Sequence, residues 1–156
     1  MAPVSTSTEV NRPAQEAFAY VTDPTRFHEW QHGVVDGHLD TTGTPGVGTR
    51  CVTTRRIGFA DRPTTAELTH SEAPRTWGVR GIDGPIRATV DVSVERLTAT
   101  RSRLTIAIDF EGHGIGRILV PLAVRRQARK EMPANLARLK NRMEASDSPA
   151  PPGDRS

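Results

Sequence analysis

The sequence predicts an α+β fold, in which a curved antiparallel sheet of about six to seven strands wraps around one long C-terminal helix. Three observations predict it. Apolar and polar residues alternate through most of the stretch from Val34 to Phe110, five turn signals interrupt that stretch, and the period becomes helical after Gly112. Alternation with closely spaced turns is typical of an antiparallel sheet with one solvated face. The other face must be covered, and the helix is the only long element available to cover it.

Before the sheet, the chain is expected to form a short polar strand and two short helices. In "STSTEVNRPAQEAFAYV", Asn11 is suited to cap a helix and Pro13 to its first turn. "DPTRFHEW" then begins a second helix, because Asp23 is a capping residue followed by proline. Phe27 and Trp30 are three residues apart and share one face of that helix. We expect the two helices to meet at a corner whose apolar side is this aromatic pair.

The two clearest strands are "IRATVDVSVERL" and "SRLTIAIDF". In the second, Ile108 and Phe110 point to one side, so alternation predicts that Asp109 faces away from them. Turns are predicted at "TTGTPGVGT", "FADRP", "SEAPRT", "GIDGP" and "TATRS". Cys51 lies in a strand rich in Val and Thr, and we expect a small strand residue there rather than a nucleophile.

The segment "GHGIGRILVPLAVRRQARKEMPANLARLKNRMEA" predicts a long helix, because apolar residues recur on one stripe at about 100° per residue. Pro121 and Pro133 each lack a backbone donor, so we expect a kink or a late start. The ending "SDSPAPPGDRS" has no core-forming residue, which predicts a disordered tail over residues 146–156 and a single domain over residues 1–145. The stripe consists of Ile118, Pro121, Ala128, Met132, Leu136, Leu139 and Met143.

Composition argues against several classes of protein. Hydrophobic residues make up 35% of the 156, and no run of about 18 apolar residues is present, so we expect no membrane span. The start, "MAPVSTSTEV", lacks the regions of a secretory signal, and the one cysteine cannot form an internal disulfide, so we expect a cytoplasmic protein. The net charge is +3, but the densest basic stretch, "VRRQARK", has no aromatic residue to stack on bases. We therefore expect no nucleic-acid partner.

Three stretches resemble a known family: "RPAQEAFAYVTDPTRFHEW", "ELTHSEAPRTWGVRG" and "TRSRLTIAIDFEGHGIGRILVPLAVRRQARKEMPANLARLK". With the order of elements, they make the chain similar to the START-like, or Bet v 1-like (SRPBCC), superfamily, in its polyketide cyclase/dehydrase and lipid-transport branch. The resemblance covers about residues 4–145. It implies a helix-grip fold, in which the sheet wraps around the C-terminal helix and leaves a hydrophobic ligand cavity. Members include cyclases, dehydratases and lipid carriers, so the fold leaves the chemistry open.

We expect the chain to bind a small hydrophobic ligand without a cofactor, and a polyketide-like aromatic compound is one candidate. Two functions stay open here. One is an enzyme that cyclises or dehydrates the ligand, and the other is a non-catalytic carrier or sensor of a lipid or hydrophobic metabolite. We expect a monomer or a homodimer. The residues predicted to contact the ligand are Trp30, Trp77, Val79, Phe110, Ile118 and Met132.

Arg125 and His113 are the candidate catalytic residues. Arg125 falls on the apolar stripe one turn after Pro121, so a continuous helix would point it toward the sheet. A buried guanidinium needs a partner, which would be Asp109 or a ligand carboxylate or enolate. Alternatively, the proline shifts the phase of the helix and Arg125 extends to water. His113 lies in the glycine-rich "EGHGIGR", where it is either an acid–base group or a surface residue.

The segment "HEWQH", from His28 to His32, matches the H-E-x-x-H pattern of zinc sites. That pattern requires a continuous helix, and here the helix is expected to end near Trp30, which the core also needs. We therefore predict no metal site, and we interpret the segment as a solvated corner with a buried Phe and Trp.

Overall fold

A computed structural model gives the structure of the protein for residues 3–41, 43–84, 86–112 and 119–145. It confirms the predicted α+β class, because a curved, seven-stranded antiparallel sheet lies against a long C-terminal helix. His113, Ile118 and the tail at 146–156 lie outside the described residues. No helix within those described ranges is both long enough and apolar enough to cross a membrane.

The elements follow one another in the predicted order. The first three are β1 (Val4–Val10), α1 (Ala14–Val21) and a 3-10 helix (Pro24–Glu29). The next four are β2 (Val34–Asp40), β3 (Arg50–Ile57), β4 (Ala60–Glu72) and β5 (Thr76–Gly81). The last three are β6 (Ile86–Thr98), β7 (Arg101–Gly112) and α2 (Leu119–Ala145). The strand order is β1-β7-β6-β5-β4-β3-β2, so α1 and the 3-10 helix carry the chain from one edge of the sheet to the other.

The strand register gathers apolar side chains into rows across one face of the sheet, which we call the inner face. One such row consists of Leu68, Val79, Val90, Ile108 and Val4. The opposite, outer face carries polar pairs such as Ser7 and Thr105, whose hydroxyl oxygens lie 2.8 Å apart. The inner-face residues pack with α2 in one hydrophobic cluster, so the sheet is apolar on the side that the helix covers.

α2 is described from Leu119, where the described residues resume, and it contains Pro133. From Ala128 onward, the predicted stripe is the face of this helix that packs on the core. Its buried members are Met132, Leu136, Leu139 and Met143, and the partly buried Ala128 packs against the same cluster. The helix packs mainly against β1 and β7, at one edge of the sheet.

Charged side chains join the C-terminal half of α2 to the end of β1 and to the connection that follows it. Lys140 Nζ donates to Glu9 O at 2.7 Å, and Arg12 Nη2 donates to Met143 O at 2.6 Å. Arg12 is buried, with 8% of its surface exposed. Hydrogen bonds from charged donors contribute roughly 1.5–3 kcal/mol each, so these contacts hold the end of the helix firmly.

The 3-10 helix is held against both β2 and α2. Asp23 caps it as predicted, because its carboxylate accepts the backbone N–H two residues on at 3.0 Å. A Cβ atom at Gly37 would overlap Pro24 O, so glycine is the residue that lets β2 pass this closely. From the other side, Arg138 Nη1 donates to Trp30 O at 3.2 Å.

The turn predicted at "FADRP" is wrong in its position. The chain reverses at Gly58, which has a φ of 65°, and Pro63 lies within β4 opposite Thr54. Thr65 N donates to Asp83 Oδ1 on the β5 side of the strand, so the nitrogen of Pro63, two residues earlier, faces that same side. β5 has ended there, and proline is tolerated because it removes no ladder hydrogen bond.

Candidate functional site

Three aromatic side chains meet on the inner side, where the 3-10 helix approaches β5. Phe27 packs edge-on against Trp30, with ring centroids 5.8 Å apart, and against Trp77, with centroids 6.4 Å apart. All three are buried. Such pairs contribute about 0.5–1.5 kcal/mol beyond the area they bury. Trp30 Nε1 is buried and has no hydrogen-bond acceptor within the described part of the chain, so the cluster contains one unused donor.

Of the residues predicted to contact a ligand, four are buried in the core. They are Trp30, Trp77, Val79 and Met132. Phe110 is half-buried in β7, and Ile118 lies outside the described residues. The structure brings the two tryptophans together through the phenylalanine between them, whereas Met132 approaches from α2.

Arg125 is buried, with 7% of its surface exposed, so the alternative in which it extends to water is wrong. Its Nη2 donates to Asp109 Oδ1 and lies 3.5 Å from Phe110 O. Asp109 is therefore the one of the predicted partners that the guanidinium contacts, although alternation places Asp109 opposite to Ile108 and Phe110. The described pairing of β1 with β7 ends at Ile108. Beyond that residue β7 has no described neighbour on this side, so the Asp109 carboxylate can turn around the edge of the strand toward α2. Asp109 Oδ1 also accepts the Phe110 N–H at 2.9 Å.

Arg55 in β3 is a second arginine on the inner side, and it was not predicted. It is half-buried; Nη2 donates to Gln31 Oε1 at 3.0 Å and Nη1 to His32 O at 3.3 Å. Burial lowers the pKa of its guanidinium, and the Glu131 carboxylate on α2 partly offsets that effect. Alternation could have revealed it, because Arg55 lies four residues after the buried Cys51 and therefore on the same face.

The segment "HEWQH" is a solvated corner, as predicted. The 3-10 helix ends at Glu29, and His28 and His32 are exposed. Glu29 accepts hydrogen bonds from Tyr20 Oη at 3.0 Å and from Arg26 Nε at 3.1 Å. Burial opposes ionisation of Glu29, but these hydrogen bonds outweigh it and lower the pKa of the carboxyl. Glu29 therefore joins α1 to the 3-10 helix and is poorly suited to accept a proton near neutral pH.

The remaining candidate groups are inert or lie on the outer face. Burial raises the pKa of the Cys51 thiol, so it stays protonated and weakly nucleophilic. His70 Nε2 lies 3.7 Å from Asp91 Oδ1 on the outer face, where Gly78 leaves room for the imidazole. In the residues that the structure describes, no three His, Cys, Asp or Glu side chains are grouped so that they could hold a metal ion.

A cleft of about 730 Å³ opens between the start of α1, the β4–β5 turn and the hairpin of β6 and β7. It lies beside the outer face, because its lining includes Ser93 and Thr105, which share that face. Four charged side chains border it: Arg75, Glu95, Arg96 and Arg103. Sites for hydrophobic ligands are mainly apolar, with few polar groups, so the inner side suits such a ligand better than this cleft.

Comparison with known proteins supports the resemblance. The sequence matches the family described as polyketide cyclase / dehydrase and lipid transport over residues 1–144. No curated protein is significantly similar in sequence. The family match spans the sheet and nearly all of α2, and the structural relatives include START and aromatase/cyclase proteins, which confirms the superfamily.

Three solved structures illustrate the likeness. The di-domain ARO/CYC BexL from the BE-7585A biosynthetic pathway has a TM-score of 0.75 at 18% identity over 96% of this chain, which spans only 48% of BexL. A START superfamily protein from Mycobacterium smegmatis has a TM-score of 0.76 at 14% identity, covering 94% of this chain and 99% of that one. The ZhuI aromatase/cyclase from Streptomyces sp. R1128 has a TM-score of 0.68 at 14% identity, covering 92% of this chain and 91% of ZhuI. At these identities the likeness shows the fold alone.

Proposed function

The chain belongs to the polyketide cyclase/dehydrase and lipid transport family, and on that premise we propose that it binds a small hydrophobic ligand between the inner face of the sheet and α2. The apolar rows of the sheet and the aromatic cluster would form the wall. Trp30, Trp77, Val79, Phe110 and Met132 are the described residues that we assign to ligand contact. Small-molecule sites have this composition, mainly apolar and aromatic with a few polar groups.

The ion pair of the buried Arg125 with the half-buried Asp109 carries the further proposal that the protein is an enzyme. Desolvating charged groups costs several kcal/mol per ion, so such a pair is a poor device for stability and suits a site of chemistry better. We assign Arg125 the role of donating to a ligand oxygen that gains negative charge in the transition state. Asp109 would hold the guanidinium in position.

The reaction that fits this role is cyclisation or dehydration of a polyketide-like chain. Both pass through an enolate, and a guanidinium on an apolar wall stabilises such an oxygen more strongly than water does. The aromatic and aliphatic wall would fold the chain so that its reacting carbons approach one another. His113 stays a prediction as the acid–base group, and Ile118 stays a predicted ligand contact. The absence of a cofactor and of a nucleic-acid partner, a cytoplasmic location, and a monomer or homodimer also stay predictions.

A carrier or sensor of a lipid or hydrophobic metabolite is the second candidate, and one observation favours it. Within the described residues, histidines are absent from the inner wall: His28, His32 and His38 are exposed, and His70 lies on the outer face. Proton transfer near neutral pH most often uses histidine, so a reaction would need other groups. A carrier needs only the apolar wall.

Native mass spectrometry of the chain purified from its own host tests the proposal, with the released ligand identified by fragmentation. A polyketide-like aromatic compound supports the enzyme, and a fatty acid, phospholipid or isoprenoid supports the carrier. A bound polar metabolite contradicts both, because the described wall offers few polar partners.

Arg125→Lys separates the two functions once the compound is known. The variant keeps the positive charge and loses the two-pronged guanidinium, so we expect turnover to fall roughly a hundredfold while binding changes little. Arg126→Lys, at the exposed neighbouring position, is the matched control and should turn over normally. Unchanged turnover in Arg125→Lys would remove Arg125 from the reaction.

A further inference from the structure

The hairpin of β3 and β4 projects beyond the rest of the sheet. β5 ends at Gly81, opposite Ala66, and Thr65 N bonds to Asp83 Oδ1 at 2.9 Å just past that point. From there to the turn, β4 pairs in the sheet with β3 alone, and residues 56–64 are all exposed. On the other side, β3 pairs with β2 as far as Arg55, and Arg56 N donates to Gly33 O at 2.8 Å, so the end of the hairpin beyond Arg56 extends past both neighbouring strands. We call residues 56–64 the hairpin tip.

The hairpin tip ends in two large apolar side chains. Phe59 is fully exposed, at 109%, and Ile57 is 63% exposed. They are two of the four exposed large hydrophobic residues in the described part of the chain. Neither contributes to the core, and apolar groups clustered at one exposed point typically mark a contact with another molecule or a membrane.

Positive charge lies directly behind the apolar end. Arg62 is opposite Arg55 in the β3–β4 register, on the same side of the hairpin as Ile57. The Arg55 guanidinium already bonds to Gln31 and His32, so Arg62 is the exposed positive charge on this side of the hairpin. On the other side of the hairpin, Arg56 is already neutralised by Asp61, with Nε and Oδ1 2.9 Å apart. The unneutralised charge and the apolar end therefore share one side.

We propose that the hairpin tip docks on an anionic phospholipid surface. Phe59 and Ile57 enter the interfacial layer, while Arg62 faces the lipid phosphates, whose geometry suits a guanidinium. Anionic headgroups attract basic residues that lie close to the membrane, and this complements the charge behind the tip. The proposal goes beyond ligand binding, and it does not depend on the function proposed above.

A bilayer fits this surface better than a protein partner does. A stable protein interface buries about 800 Å² on each partner, which is more than two side chains on a narrow hairpin supply. Attachment to a membrane needs only shallow insertion together with electrostatic attraction. The same comparison argues against a second copy of this chain as the occupant.

Vesicle co-sedimentation of the full chain without added ligand tests the proposal. We expect binding to vesicles of phosphatidylcholine and phosphatidylglycerol in equal parts, and weak binding to phosphatidylcholine alone. Phe59→Ser should lower the binding constant roughly tenfold, because the apolar insertion is lost. Arg62→Gln should lower it roughly fivefold, and added salt should weaken binding by the wild-type chain.

Val47→Ser is the matched control. Val47 is 78% exposed and lies in the β2–β3 connection, at the opposite end of β3 from the tip. This variant should bind vesicles as the wild type does. All three variants should keep the wild-type unfolding temperature, because the substituted side chains are exposed.

Three results would overturn the proposal. In the first, the wild-type chain stays in the supernatant with both kinds of vesicle. In the second, Val47→Ser loses as much vesicle binding as Phe59→Ser. In the third, the tip mediates self-association instead of membrane binding. The last would appear in analytical ultracentrifugation as a dimer that Phe59→Ser dissociates, with no vesicle binding. None of these results bears on the ligand site, because Phe59→Ser should bind an apolar fluorescent probe in solution as the wild type does.

Discussion

Two regions of the molecule differ in how they use charge: the hairpin tip and the closed end, which we define as residues 9–12, 24–32 and 135–144. At the closed end, charged side chains bond to the main chain, whereas at the hairpin tip arginines face solvent. Three side chains donate to backbone carbonyl groups and so join elements that are distant in sequence: Arg12, Lys140 and Arg138. Arg62 at the tip instead lies exposed beside another arginine.

The apolar residues of the two regions differ in the same way. Leu139 at the closed end is fully buried, at 0% exposure, whereas Phe59 at the tip is fully exposed. The closed end therefore contributes to the free energy of folding, and the tip contributes little to it. Its residues are free to serve contact with another surface, and the following substitutions test this division.

Leu139→Ala should give the largest effect. Removing a fully buried leucine leaves a cavity, so we expect the free energy of unfolding to fall by about 3 kcal/mol. Ile57→Ala at the hairpin tip is the matched change and should cost less than about 0.5 kcal/mol. Chemical denaturation measures both. Equal losses at the two positions would contradict the division between the ends.

Gly37→Ala should be nearly as costly. The added methyl group would overlap Pro24 O, a backbone atom that cannot move aside without displacing the 3-10 helix. We expect a loss of about 2 kcal/mol in the same assay. Gly46→Ala is the control, because nothing lies near its Cβ position, and a comparable loss there would refute the steric explanation.

Gly78→Ala tests the sheet between the two ends and should have a smaller effect. Its added methyl group would overlap the His70 imidazole, which belongs to a movable side chain. We expect a loss of about 1 kcal/mol, and we expect His70→Ala to relieve most of it in the double variant. Strict additivity of the two substitutions would show that the imidazole is not the obstacle.

Tyr20 sharpens the comparison through its titration, which should leave the free energy of unfolding independent of pH near neutrality. Burial, followed by the hydrogen bond to Glu29, raises the pKa of Tyr20 from 10.0 to about 12. The folded chain therefore holds this proton more tightly than the unfolded chain does. The resulting stabilisation is complete below pH 10 and is lost as the pH rises toward 12.

Tyr20 is the one tyrosine of the chain, so tyrosinate absorbance reports on it alone. The folded chain should ionise at higher pH than the chain in denaturant, and Tyr20→Phe should abolish the signal. Ionisation at the same pH in both states would show that the contact with Glu29 does not form in solution.

Periodicity predicted the elements that bury one face. The alternation in β6 and β7 and the stripe on α2 are direct consequences of covering a sheet with a helix, and the buried Met132, Leu136 and Leu139 confirm the stripe. The same spacing left two alternatives for Arg125, facing the sheet or extending to water, and the structure shows that it is buried. Local chemistry also predicted the Asp23 cap, because a capping side chain acts within its own turn.

Contacts that depend on where a neighbouring strand ends could not be predicted. Asp109 was one of the partners predicted for Arg125, but alternation did not predict that its carboxylate turns toward α2 beyond the described end of the β1 pairing. Pro63 is tolerated in β4 because β5 has ended. A strand's own sequence does not specify the length of its neighbours. Alternation could have placed Arg55 on the inner face, but its partners, Gln31 and His32, are far away in sequence and could not be predicted.

The central claim is that a hydrophobic molecule binds on the inner side, against the aromatic cluster. Titration of the full chain with anilinonaphthalene sulfonate, excited through tryptophan, tests it most directly because Trp30 and Trp77 are the only tryptophans. The account predicts saturable energy transfer at one probe per chain, weakened by Val79→Ser and unchanged by Val47→Ser. No saturable binding, or equal weakening by both variants, would contradict it.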